Sequence, residues 1–300
     1  MDKSNDIVSP ITKGPVKYLF DIDKSILVKD YLRETNIDIN YLLNKIPTIK
    51  LYECEETSYR FFKPFGIEGD SSFYEQLEQI PWYYSKWKWE FGVANKYIEK
   101  NSKVLDIGCG EASFLEYISK EKECSCIGLE LNEKAKNIAN KKGILVYNEN
   151  IQDHSIKNKS QYDIVTFFQV LEHISDVNGF LNAAVSTLKQ GGKIILAVPN
   201  NEPYYLTFDK YHFLNLPPHH MGWWNEKSLA ALCDVYDLNL IEIKRQPLEH
   251  YKSYTKNYIK EKLNLPKFLI VFFEPILKIY FYLNRRNING ASILAVYSKK

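Results

Sequence analysis

The sequence predicts an α/β fold built on a mostly parallel sheet, on three observations. Val104-Leu105-Asp106-Ile107-Gly108-Cys109-Gly110-Glu111-Ala112 is a short aliphatic strand running into an acid, then two glycines one residue apart, then a helical pattern. Cys126-Ile127-Gly128-Leu129 is a second short strand, and it ends in Glu130. The gap from glycine loop to acid is close to the roughly 20 residues of a nucleotide-binding βαβ unit. Strand-length apolar runs then alternate with helical stripes as far as Val198, the signature of a layered α/β sheet.

The elements follow in chain order. Residues 1–15 are polar, with Pro10, Gly14 and Pro15, and are expected to be poorly ordered at the start. Residues 16–63 read as short strands and a helix. Tyr41, Leu42, Leu43 and Ile46 form a helical stripe stopped by Pro47, and Lys50–Cys54 and Tyr59–Phe62 form two strands joined by Glu55–Ser58. Ser71 or Ser72 is expected to cap a helix from Phe73 toward Gln79. These residues, 1–80, make a small α+β module, and 81–300 make the main domain.

Three of the five tryptophans fall in Trp82–Trp89. They read as an aromatic core joining the two parts, with Tyr83 or Tyr84 as candidates to close over a ligand, since a tyrosine can pack one face and hydrogen-bond at its tip. Phe91–Lys100 leads into the first sheet strand. Lys134–Lys142 is a helix ended by Gly143, Ile144–Tyr147 a strand, Val177–Leu188 a helix ended near Gly191-Gly192. Leu238–Lys244 and Ala291–Tyr297 are the sixth and seventh strands. No internal repeat or low-complexity tract is present.

The glycine loop is where such a sheet meets a small charged ligand. Missing Cβ atoms let the ligand approach, and glycine supplies φ > 0. The first N–H groups of the next helix favour an anion such as a carboxylate. Glu130 can accept hydrogen bonds from both hydroxyls of a ribose. Ser113 stands where a dinucleotide fingerprint has its third glycine, so no pyrophosphate cradle is specified. That counts against a dehydrogenase.

This pattern resembles the class I S-adenosylmethionine-dependent methyltransferases, and further segments match in order over roughly residues 80–248 plus the last strand. Val104–Ala112, with Asp106, Gly108 and Gly110, looks like the family's first motif. Glu130, followed by Leu131, looks like its ribose-binding acid. Asn150-Ile151 sits where the family edges the adenine; the family usually has Asp at the Asn150 position, and Asp153 is a rival. Tyr162–Ile174, with Gln169 at the strand end, looks like the fourth strand and its loop, and Gly191–Asn200 like the fifth strand and its turn. The resemblance implies a Rossmann-like seven-stranded methyltransferase sheet, mostly parallel with the last strand antiparallel, and S-adenosylmethionine as cofactor. Each acid has a bland alternative, a turn cap for Asp106 and a solvated strand end for Glu130.

Composition narrows the partners. The chain has 300 residues, 45% of them hydrophobic, and a formal charge of +2 with no long basic block. Nucleic acid is therefore not expected as a partner. Five cysteines form no even framework and read as reduced, which together with the lack of a charged-then-apolar leader points to the cytoplasm. Related methyltransferases often carry a zinc ribbon ahead of the catalytic domain. Here Cys54 has no partner at the two-residue spacing, while a structural zinc wants four ligands, so no metal is expected.

The acceptor side is read from Leu214-Asn215-Leu216-Pro217-Pro218-His219-His220-Met221-Gly222-Trp223-Trp224. Prolines stiffen the approach, and Gly222 allows a turn before a helix near Asn225. A neutral hydroxyl needs a base to become a good nucleophile, and imidazole titrates near neutrality. His219 or His220 is the candidate base, His173 at the pocket mouth the second, with backbone anchoring as the competing role. Trp223 and Trp224 offer flat faces to a sugar or an isoprenoid. The segment also resembles one in methyltransferases of glycan and secondary-metabolite clusters. The leading expectation is O-methylation of a small-molecule or glycan acceptor: a sugar, nucleotide sugar or glycan intermediate. A quinone or lipid-like aromatic acceptor, or a catalytically silent scaffold, are the alternatives.

Residues 249–289 separate the last two strands, which often form a hairpin in this family. Their apolar stretch is interrupted by Glu274, Pro275 and Lys278. Helices that cover the site or form a homodimer surface are expected there, with peripheral membrane contact as the rival, because a spanning helix wants roughly 20 apolar residues.

Overall fold

The computed structural model describes residues 7–46, 48–80, 87–202, 212–263 and 265–300. Tyr83 and Tyr84 lie outside the described residues. At the N-terminal end, β1 (Val16–Ile22), β2 (Ile49–Cys54) and β3 (Arg60–Lys63) form an antiparallel meander. A helix at Lys24–Thr35 lies between β1 and β2. Asp23 caps it by accepting the Ser25 N–H at 2.8 Å, and Asn36, at φ 58°, ends it in the left-handed conformation that Asn tolerates. The stripe at 41–46 shortens to a helix at Asn40–Leu43. The next helix is Ser71–Leu77, and its cap is Asp70 rather than Ser71 or Ser72. The Asp70 carboxylate accepts the Phe73 N–H at 2.9 Å, a charge-assisted bond that a hydroxyl does not match.

The main sheet contains β4 (Lys103–Ile107), β5 (Ser125–Leu129), β6 (Leu145–Tyr147), β7 (Tyr162–Phe168) and β8 (Leu188–Pro199). After a short strand β9 (Gly222–Trp223), it is completed by β10 (Leu238–Pro247) and β11 (Asn289–Lys299). The spatial order is β10-β11-β8-β7-β4-β5-β6, and only β11 runs against its neighbours. This is the Rossmann-like, seven-stranded arrangement expected. Alternation along the central strands sends Leu105, Val165, Phe167 and Leu196 into one buried core and Val104, Ile164, Phe168 and Ile195 into another. The helix Val177–Thr187 covers the first face with Phe180, Leu181 and Ala184, and the helix Ser113–Lys122 covers the second with Phe114, Leu115 and Ile118.

Strand β9 pairs antiparallel with β3, so the N-terminal sheet takes its fourth strand from outside residues 1–80. This corrects two expectations. Gly222 is not a turn: it is strand, and glycine is needed because a Cβ there would fall 2.0 Å from the Tyr59 hydroxyl oxygen. Trp223 and Trp224 present no face to a ligand. Both are buried, Trp223 at 5.4 Å from Phe62 and Trp224 at 4.2 Å from Tyr59 between ring centroids, because joining two sheets buries more apolar area than lining a cleft. Of the tryptophan cluster, Trp87 is exposed and packs edge-on against Phe91 and Tyr117.

The insertion is helical, at Tyr251–Tyr258 running on through Ile259–Leu263, and then at Lys267–Leu283. Pro275 does not break the second helix. It cannot donate to the carbonyl four residues back, but Val271 and Pro275 both lie on an exposed face where water can serve that carbonyl. No helix among the described residues is long and apolar enough to cross a membrane.

Candidate active site

The site begins at the carboxyl ends of β4, β5 and β7, where an open α/β sheet places its ligand crevice. Gly108 has φ +69° and Gly110 φ +54°. A Cβ on Gly108 would lie 2.6 Å from a methyl of Val170, so both backbone and space require glycine. The turn is tied to the next strand by the Gly108 and Cys109 N–H groups, which donate to Leu129 O at 2.8 and 3.1 Å. Glu130 closes the other side: its two oxygens accept from the N–H of Gly110 and of Asn132, each at 2.8 Å. A carboxylate has about four acceptor positions, so each oxygen retains one for a ribose hydroxyl. These residues fit the nucleoside end of the expected cofactor.

Asp106 is buried and accepts the Thr166 hydroxyl at 2.7 Å; burial raises its carboxyl to about 7, against that bond and the nearby Lys88 charge. Asn150 caps the helix Ile151–Lys157. Its carbonyl accepts the Asp153 N–H and its amide donates to the Asp153 carboxylate, both at 2.8 Å. The polar atoms expected to meet adenine are thus engaged in a local cap, and the rival Asp153 is part of the same pair. Ile151 is buried beneath and Leu131 is exposed beside Glu130. Gln169, at φ +58°, extends its amide to Glu90 Oε1 at 3.0 Å and Ser292 Oγ at 3.3 Å.

A cavity of about 510 Å³ adjoins this turn; Gly108, Phe168 and Gln169 are in its wall. Its far wall brings together His173, His219 and His220. His173 follows β7 in a short 3-10 turn at Leu171–His173. The other two come from the Pro-Pro-His-His segment, held between the two sheets: Phe62 N–H donates to Met221 O at 3.0 Å, and Met221 N–H donates to Glu172 O at 2.8 Å. Ring centroids lie 4.7 Å apart for His173–His219, 5.0 Å for His173–His220 and 4.5 Å for His219–His220.

Each imidazole faces a carbonyl oxygen through Nδ1. The partners are His219 O at 2.6 Å for His173, Leu214 O at 2.7 Å for His219, and the Asn215 side chain at 3.1 Å for His220. A carbonyl only accepts, so Nδ1 carries the hydrogen and Nε2 the lone pair. Burial lowers all three imidazoles, His173 to about 4, so all are neutral at neutral pH. The chain predicts no metal because Cys54 lacks thiol partners. It is instead these three imidazoles that offer ligand-type atoms within 4.8 Å of one another, the one such group found among the described residues.

Two further residues were not singled out by the sequence. Glu172 is buried beside the trio, its Oε1 3.8 Å from His173 Nε2 and its Oε2 without a hydrogen-bond partner among the described residues. Burial raises its carboxyl to about 8. In sequence it reads as a helix-start acid. Tyr74, from the helix Ser71–Leu77, places its hydroxyl 3.1 Å from His173 Nδ1. That contact spans the two sheets and leaves no local pattern. His154 has a structural role, between Glu149 at 2.6 Å and the Tyr162 hydroxyl at 2.7 Å.

Comparison with known proteins identifies the family and the fold. A family model described as a methyltransferase domain matches residues 83–243, more than half of the chain. Ubiquinone biosynthesis O-methyltransferases from Klebsiella pneumoniae and Salmonella newport are similar over 104 residues, at 31% and 33% identity. Those matches cover 33% of this chain and 43% of each relative, so the chain spans less than half the length of these curated relatives. A crystal structure of a SAM dependent methyltransferase from Archaeoglobus fulgidus superimposes with a TM-score of 0.52 at 18% identity, covering 77% of this chain and all of that one. The chain belongs to the methyltransferase domain family, with the fold of the S-adenosylmethionine-dependent enzymes.

Proposed function

We propose that this chain is an S-adenosylmethionine-dependent O-methyltransferase acting on a hydroxyl of a sugar, nucleotide sugar or glycan intermediate. One observation carries the reading: three neutral imidazoles, their Nε2 lone pairs presented by anchored Nδ1 atoms, gather in a cavity that begins at the glycine turn. Bound S-adenosylmethionine would supply an electrophilic methyl group on a sulfonium. Glu130 and the Gly108–Gly110 turn would hold its nucleoside end, with Asp106, Leu131, Asn150 and Ile151 shaping the same edge and Tyr83 or Tyr84 closing over it.

The acceptor oxygen would gain the methyl and give its proton to an imidazole Nε2. His173 is the best placed to receive it, because Glu172 beside it can ionise and steady an imidazolium. His219 and His220 would orient the acceptor or share the proton. Glu90, Gln169, Asn215 and Gln246 add polar atoms to the wall, which suits a polyhydroxylated acceptor. The second reading is a quinone or similar aromatic acceptor, supported by the ubiquinone biosynthesis enzymes among the relatives.

The test is calorimetric titration with S-adenosylhomocysteine, with NAD as the comparison, followed by turnover on both acceptor classes. Micromolar binding of the first, abolished by Glu130→Ala, is expected. His173→Ala, His219→Ala and His220→Ala should keep that binding and lose turnover. Full activity in all three variants would remove the base assignment. Binding without turnover on any hydroxylated acceptor would leave a silent scaffold.

A further inference from the structure

On the helix Lys267–Leu283 most of the large apolar side chains are exposed. One stripe faces inward: Phe281 is buried, with ring centroids 5.0 and 5.2 Å from Tyr254 and Tyr258 of the preceding helix. The opposite stripe is Phe268, Phe272, Ile276, Ile279 and Leu283, each 61–70% exposed. Those positions recur at i, i+4, i+8, i+11 and i+15, which is one continuous helix face. A soluble surface rarely leaves so contiguous a patch of large side chains uncovered.

Charge selects what covers it. Residues 251–287 carry eight Lys or Arg and two Glu, a formal +6, whereas the whole chain is only +2, so all the rest is −4. Glu274 sits within the helix, where it pairs with Lys278 at 2.6 Å. Glu261 pairs with Lys260 at 3.1 Å, so the cations in excess of these two pairs include Lys262 ahead of the apolar face and Arg285 and Arg286 after it. A second copy meeting this face about a two-fold axis would set +6 against +6, because an isologous interface meets itself. An anionic bilayer is attracted to both the charge and the apolar stripe.

We propose that residues 251–287 are an interfacial anchor that lays the helix Lys267–Leu283 on an anionic membrane surface. At 17 residues the helix reaches only about 26 Å at 1.5 Å per residue, so it lies in the interface and does not span. Both ends of the insertion return to the catalytic cavity. Gln246, Glu249 and His250 enter its wall just before the first inserted helix, and Ser292 just after the second. Docking therefore holds the cavity rim at the bilayer, which suits an acceptor carried on a lipid. That last step rests on the methyl-transfer reading; membrane binding does not.

The experiment is flotation of the full chain with vesicles of phosphatidylcholine alone and of phosphatidylcholine with phosphatidylglycerol, with sedimentation velocity and cofactor-product titration on the same samples. Wild type should float with the anionic vesicles, release in high salt, and stay behind with neutral ones. Phe272→Asp with Ile279→Asp should abolish flotation. Lys260→Glu, Lys262→Glu and Arg286→Glu together should weaken it on the order of a hundredfold or more, at about 1 kcal/mol per basic residue. Both variants alter exposed side chains, so melting temperature and S-adenosylhomocysteine affinity should not move. No flotation with either vesicle, or equal flotation with both, overturns the proposal. So does a wild-type dimer that the apolar variant dissociates while neither protein floats. Flotation of a wild type that does not bind S-adenosylhomocysteine would count against the methyl-transfer reading alone.

Discussion

The Tyr74 hydroxyl lies 3.1 Å from Nδ1 of His173, so a helix of the N-terminal region touches the imidazole that follows β7. The same Nδ1 donates to His219 O at 2.6 Å. Tyr74 therefore helps fix the ring's orientation without reaching its lone-pair nitrogen, as outer partners of functional histidines commonly do. Tyr74→Phe should lower kcat about tenfold or more while the Kd for S-adenosylhomocysteine stays unchanged. An unchanged kcat would reduce Tyr74 to packing.

Glu172 makes the site's pH response predictable. Its folded-state carboxyl is raised to about 8, with Lys88 opposing and Glu90 adding to the burial cost. A carboxyl raised on folding holds its proton better in the native state, so its stabilising effect is full below its ordinary range and is lost as pH rises toward 8. Glu172→Gln should raise Tm by a few degrees at pH 8.5 and change it little at pH 5. Turnover of the wild type should climb through about pH 8 as Glu172 ionises beside His173, and the Gln variant should lose that limb. A pH–rate profile of both proteins decides it.

Gly108 tests the turn. Alanine there meets both φ +69° and a methyl at 2.6 Å. Gly108→Ala should cost roughly 1–3 kcal/mol of stability and weaken S-adenosylhomocysteine by at least about a hundredfold, since the turn moves against the ligand. Calorimetry on a variant shown to be folded by circular dichroism is the check.

Three neutral imidazoles with carbonyl-anchored Nδ1 atoms also form a trap for a soft divalent cation, whatever the native reaction uses. Added Zn²⁺ should inhibit at micromolar levels, compete with acceptor rather than with cofactor, and be reversed by a chelator. His220→Ala should raise the inhibition constant about tenfold or more, since outer and inner ligand losses cost on this scale. Zinc inhibition that ignores the acceptor concentration would place the ion elsewhere.

How much of this was legible in sequence follows the range of the contacts. The parallel strands, the glycine turn and the acid ending β5 are local patterns of period two and fixed spacing, and each appears where expected. The Pro-Pro-His-His segment was legible as a candidate by residue type, and its two histidines lie in the cavity wall. Its meeting with His173 was not legible, because that meeting depends on Met221 bonding to Phe62 on one side and Glu172 on the other. Tyr74 gave no signal at all, lying 99 residues from its partner. Trp223 and Trp224 misled for a related reason: an aromatic pair reads as ligand-facing until a second sheet is known to cover it. Asn150 was read as an adenine contact; its place at a helix start, where capping takes up the atoms expected to read adenine, was not foreseen.

The pairing of β9 with β3 has a consequence for how the chain is made. The first three strands leave the ribosome long before Gly222 and Trp223 exist, so β3 must wait with one edge open while the whole parallel sheet is synthesised. An open edge is a template for the wrong strand. Lys63, at the end of β3, adds a positive charge there, whereas Arg60 at the other end is already paired with Glu53 of β2 at 2.6 Å. The Trp224–Tyr59 contact helps clasp the two sheets, and the segment that carries it also carries His219 and His220 into the cavity wall.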